Sequence, residues 1–111
     1  MNSIHDIDPG AAAQLLDGSG AVLLDVREDD EWAAGHAPGA VHLRLAEVIA
    51  GGFDFDKTVV AVCRSGARSR KAASRIAGSG VQVYNLTGGM MAWRAAGKPV
   101  IRDDGSIGAV I

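Results

Sequence analysis

A chain of 111 residues, 48% apolar and 22% charged, has the size and composition of one ordinary globular domain, which excludes a disordered or fibrous protein. The net charge of −2 argues against nucleic-acid binding, and no apolar run approaches the ~20 residues that span a bilayer. One cysteine precludes an internal disulfide, and the N-terminus lacks the basic and apolar regions of a secretion signal, so the chain reads as cytoplasmic.

Residues 4 to 7 read as a short edge strand. Asp8 then caps a helix with Pro9 at its first position, Ala11, Ala12, Leu15 and Leu16 on its apolar face, and Gly18 or Gly20 as its stop. Ala21 to Val26 form a buried strand interrupted near its carboxyl end by Asp25. A carboxylate there has to accept hydrogen bonds, which points to a structural role. Arg27 follows at the strand end where open α/β sheets bind ligands, so it either reaches a substrate or pairs with nearby acids. Glu28, Asp29, Asp30 and Glu31 suit the positive end of a short helix and read as a solvated start, with Trp32 packing and Gly35 closing the turn. His36, set between Gly35 and Ala37-Pro38-Gly39, reads as a loop brace using its two ring nitrogens.

Ala40 to Leu43 suggest a further short strand, and Leu45, Ala46, Val48 and Ile49 a helix ended by Gly51-Gly52. Val59-Val60-Ala61-Val62 is an unbroken apolar run of β-favouring residues, which implies a strand covered on both faces. It ends on the single cysteine, Cys63. Gly66 permits a sharp turn, and from about Arg68 the residues favour a helix with Ala72, Ala73, Ile76 and Ala77 on its apolar stripe. Arg68, Lys71 and Arg75 share the other side, the last two as a solvated face. Gly78-Ser79-Gly80 breaks that helix. Val81 to Tyr84 read as a strand, and Leu86-Thr87-Gly88-Gly89 as a tight connection whose glycines suit close approach to the cysteine loop. Met90 to Ala96 complete the helices, with Met90, Met91 and Trp93 expected in the core. Residues 100–111 read as a tail, with a short strand around Val100 and Ile101.

The thiol thus sits at a strand's carboxyl end, in a tight loop facing a helix N-terminus. Inward N–H dipoles and the flanking Arg64 and Arg68 favour the thiolate, the nucleophilic form. A buried, inert cysteine is the alternative reading of the residue type; the cationic loop and the turn at Gly66 favour the reactive one.

The loop Cys63-Arg64-Ser65-Gly66-Ala67-Arg68-Ser69 resembles the active-site loop of rhodanese-like sulfurtransferases. Asp25-Val26-Arg27-Glu28, Glu31 and Gly35-His36-Ala37-Pro38-Gly39-Ala40 resemble that family's first signature. Leu86-Thr87-Gly88-Gly89, Ala92-Trp93, Gly97 and Pro99 resemble its closing one.

Alternating strands and helices predict an α/β domain with a mostly parallel sheet and helices on both faces. The resemblance implies the five-stranded rhodanese fold, a single domain over 1–111, and an enzyme of the thiosulfate sulfurtransferase type. Cys63 would be the catalytic nucleophile, carrying sulfur as a persulfide. Arg64, Ser65, Gly66, Ala67, Arg68 and Ser69, with Arg27, would bind a small anionic donor such as thiosulfate. No cofactor is implied, and His5, His36 and His42 lack a metal-ligand spacing with Cys63. With no second cysteine to resolve a persulfide, the acceptor must be external, a thiol, a protein or cyanide. Two alternatives remain. One is a non-catalytic rhodanese-like interaction module, a type that commonly loses the cysteine this chain retains. The other is a cysteine phosphatase or arsenate reductase, whose loop places arginine six positions after the cysteine. That position is Ser69 here, and Arg68 falls one earlier.

Overall fold

A computed structural model describes residues 4–111. The elements in chain order are β1 (His5–Ile7), α1 (Pro9–Ser19), β2 (Val22–Asp25), α2 (Asp29–Ala34), β3 (Val41–His42), α3 (Leu45–Ile49), β4 (Val59–Val62), α4 (Ala67–Ala77), β5 (Val83–Leu86) and α5 (Gly89–Ala95). The strands form one five-stranded sheet in the order β1-β5-β4-β2-β3, and every pairing is parallel.

β4 lies at the centre, and all four of its residues are buried. Its alternate side chains feed two apolar clusters. On one face Val59 and Ala61, followed by Cys63, join Leu24, Val48 of α3, and Ala72, Ala73 and Ile76 of α4. On the other, Val60 and Val62 join Leu23, Ala12 of α1, and Met90 and Trp93 of α5. Two-sided cover explains why β4 shows no polar alternation. The carboxyl ends of β2 and β4 then stand side by side, with Val26 N–H donating to the Val62 carbonyl at 3.0 Å.

Local signals set most boundaries. Asp8 Oδ1 accepts from Ala11 N–H at 2.8 Å as the cap of α1, and Gly20 ends that helix in the left-handed region. β5 lies two residues later than the run Val81 to Tyr84 suggested, because Val59 pairs with Val83 and Ile7 with Leu86. Partner register overrides a weak local pattern here. Met91 is 47% exposed and does not belong to the core. In α5 the step of a helix turns Met90 and Trp93 inward and Met91 out. The tail folds back on the domain: Ile101 bridges both His36 and Ile107, and Ala109 N–H donates to the Ala34 carbonyl at 2.9 Å. No helix among the described residues is long and apolar enough to cross a membrane.

Candidate active site

Cys63 follows β4 directly and is 1% exposed. The turn that carries the chain into α4 depends on Gly66, whose φ of 118° is unfavourable for any residue with a Cβ. This bend aims donors at one sulfur. Gly66 N–H donates to Cys63 Sγ at 3.1 Å, and the buried Ser69 hydroxyl lies 3.3 Å from it. Burial raises the thiol pKa, but the Ser69 hydroxyl and the backbone N–H groups of Ser69, Gly66 and Ser65 more than offset it, so the pKa falls below its ordinary value. Arg64, Ser65 and Ala67 are exposed around the loop.

The underside of the loop is fixed by α5. Met90 N–H donates to the Cys63 carbonyl at 2.7 Å and Met91 N–H to the Arg64 carbonyl at 3.1 Å. Gly89, at φ 61°, makes this approach possible, since a Cβ there would overlap the carbonyls of Cys63 and Arg64. The glycine pair was legible as a close-approach signal, and the backbone it approaches is that of the cysteine loop.

A family model for the rhodanese-like domain matches residues 8–96. The chain belongs to the rhodanese-like domain family. A Bacillus subtilis (strain 168) relative, YtwF, named as a candidate sulfurtransferase, is 43% identical over 99 residues, spanning 86% of this chain and 96% of that protein. The thiosulfate sulfurtransferase GlpE of Pseudomonas savastanoi pv. phaseolicola is 42% identical over 91 residues, spanning 78% of this chain and 85% of that one. The crystal structure of a thiosulfate sulfurtransferase from Pseudomonas aeruginosa superposes with a TM-score of 0.80 at 29% identity, covering 95% of this chain and 21% of that one. These relatives support sulfurtransferase activity in this rhodanese-like domain.

The three arginines that the sequence offered for substrate differ in placement. Arg27 is fully buried and pairs with an acid, the second of the two readings open to it, while its Nη1 has no hydrogen-bond partner. Its Nη2 lies 2.8 Å from Asp25 Oδ2 and 2.7 Å from the Gly35 carbonyl, and its Nε donates to Asp25 as well. A strand-end carboxylate with no solvent needs a cation, and Arg27 is the one that the chain supplies two residues later. Arg68 is held by Glu31, with Nη1 2.6 Å from Oε1 and Nη2 2.9 Å from Oε2. The Arg68 guanidinium pulls the Glu31 carboxyl down to about 2, burial opposing it and the Glu28 N–H assisting. Arg64 is exposed, and its Nε donates to the Ile111 carbonyl at 3.1 Å. It also lines a cavity of about 280 Å³ with Met91, Arg94, Ala95 and Val110.

Glu31 therefore departs from the solvated-start reading of the acidic run. Its spacing from Arg68, 37 residues, left no local trace. Asn85 also escaped sequence reasoning, although a polar residue inside an apolar strand was an available signal. It is 3% exposed, and its Oδ1 accepts from the Ser69 hydroxyl at 2.6 Å. His36 does brace its loop. Its Nδ1 lies 2.9 Å from the Trp32 carbonyl, and its ring stacks on Trp32 with centroids 3.6 Å apart. Among the described residues no group of three or more His, Cys, Asp or Glu side chains could hold a metal ion.

Proposed function

We propose that this domain moves sulfane sulfur from thiosulfate, or a similar small anionic donor, to an external thiol or cyanide through a persulfide on Cys63. The observation that carries the reading is Cys63 Sγ, set at the carboxyl end of the central strand under the Gly66 N–H at 3.1 Å and the Ser69 hydroxyl at 3.3 Å. The thiolate attacks the outer sulfur of the donor. A sulfur–sulfur bond forms, the bond to the oxidised sulfur breaks, and its electron pair leaves on sulfite. A second nucleophile then takes the terminal sulfur and returns Cys63 as thiolate. Inward N–H groups favour anionic sulfur in both states, since they are fixed before charge develops.

Arg64, exposed in the loop with its Nε on the Ile111 carbonyl, has its two Nη groups to offer donor oxygens. Arg68 contributes its field from within the Glu31 pair. That commitment also disfavours the phosphatase reading, which needs a free guanidinium over the loop. The transfer needs no cofactor beyond the persulfide, and a free thiolate suits the reducing cytoplasm.

Intact mass after incubation with thiosulfate tests the reading. The expected result is a gain of one sulfur on the wild type and none on Cys63→Ala. An unchanged wild-type mass with several sulfane donors would make the interaction module the better account. Phosphate release from an aryl phosphate would favour the phosphatase.

A further inference from the structure

Ser69 has one hydroxyl proton and three acceptors within reach: Asn85 Oδ1 at 2.6 Å, the Gly66 carbonyl at 3.2 Å and Cys63 Sγ at 3.3 Å. The orientation of Asn85 is set from its other end. Asn85 Nδ2 faces the Gly66 carbonyl at 3.3 Å and Asp6 Oδ1 at 3.4 Å, neither of which donates at neutral pH. Asp6 is in turn fixed by Arg70. The Asn85 oxygen is thereby left facing Ser69, and Ser69 must donate to it.

A neutral Cys63 thiol tolerates this arrangement, because it can give its own proton to Ser69 Oγ. A thiolate accepts only. When Cys63 ionises, the Ser69 proton is wanted by the sulfur, and turning it there leaves the buried Asn85 oxygen without its donor. We propose that Asn85 is a positioning residue that competes with the Cys63 sulfur for the Ser69 proton, and thereby sets how readily Cys63 ionises. The inference deepens the sulfur-transfer reading, yet it is read without any sulfur donor, so either can fail alone.

The charged groups around this centre come from several elements. They are Arg64 in the loop, Arg68 and Arg70 on α4, Asp6 on β1, Glu31 on α2, and Asp25 at the end of β2 paired with Arg27 just beyond it. α5 meets the loop through Gly89, Met90 and Met91, which carry no charge. Of these groups Asp6 is the one that Asn85 touches, and Arg70 holds it independently of the amide.

The experiment is the pH dependence of Cys63 alkylation by iodoacetamide, which reports thiolate. Asn85→Leu removes the competing acceptor and is expected to lower the midpoint by about half a unit to one unit. Asn85→Asp strengthens the acceptor and adds charge, and is expected to raise the midpoint by about a unit or more. In a Ser69→Ala background the leucine substitution should shift nothing. An unchanged or raised midpoint for Asn85→Leu overturns the proposal, as does an equal fall without the Ser69 hydroxyl. Should the leucine variant not fold, the aspartate variant decides. An unchanged or lowered midpoint, or a rise equally large in Ser69→Ala, overturns the proposal.

Discussion

The carboxyl ends of β2 and β4 are neighbours, and an arginine follows each within a few residues. The first end is closed. Asp25 and Arg27 pair in the interior, with Arg27 Nη2 finding the Gly35 carbonyl as well, and Arg27 Nη1 buried without a hydrogen-bond partner. The second end is open: Gly66 and Ser69 offer donors to a sulfur, and Arg64 remains exposed. Position at the end of a parallel strand therefore does not by itself keep a charge exposed. What separates the two ends is whether their charges find partners within the fold.

Substitutions on the two sides should separate stability from reactivity. The largest effect is expected at the closed end. Arg27→Met leaves the Asp25 carboxylate unpaired, and should lower urea stability by about 3–5 kcal/mol. Persulfide formed per folded molecule should hardly change. A selective loss of loading with intact stability would return Arg27 to the substrate site.

Gly89→Ala comes next. It pushes a methyl into the Cys63 and Arg64 carbonyls at a φ that disfavours it, so both properties should suffer. Stability is expected to fall by about 1–3 kcal/mol. The alkylation midpoint of Cys63 should rise as its N–H donors lose alignment. An unmoved midpoint would show that α5 supports the loop without shaping it.

The smallest effect belongs to the Glu31–Arg68 pair, which joins the two ends. The Glu31 pKa is depressed in the folded protein, from about 4.5 to about 2. Its stabilisation is thus complete above about 4.5 and fades as pH falls towards 2. With Arg68 34% exposed, solvent screening leaves about 1 kcal/mol. Glu31→Gln should lose that amount at neutral pH, and its gap to the wild type should close in acid. A gap constant from pH 6 to pH 2 would remove the ion pair from the account.

The open end was legible because its signals are local. Val59 to Val62 declare a strand covered on both sides, Gly66 declares a turn, and the loop resembles a known one residue by residue. Asp25 was readable as structural for a similar reason, since a carboxylate in an apolar run needs a donor close by. The partner of Arg68 was not legible. Nothing near residue 68 distinguishes a guanidinium facing substrate from one facing Glu31, and only where the fold brings Glu31 of α2 decides. Asn85 was hidden by the late start of β5, which is set by pairing with β4 and β1. Met91 was misplaced because methionine composition carries no direction; only the helix phase does.

The recessed thiol has a consequence for traffic through the site. A cysteine that is 1% exposed favours slender reagents over bulky oxidants and large disulfides. Under the proposed transfer, the outer atom of a persulfide would project about 2 Å farther. Cargo would then ride above the rim, within a visitor's grasp, while the anchoring atom stays sheltered.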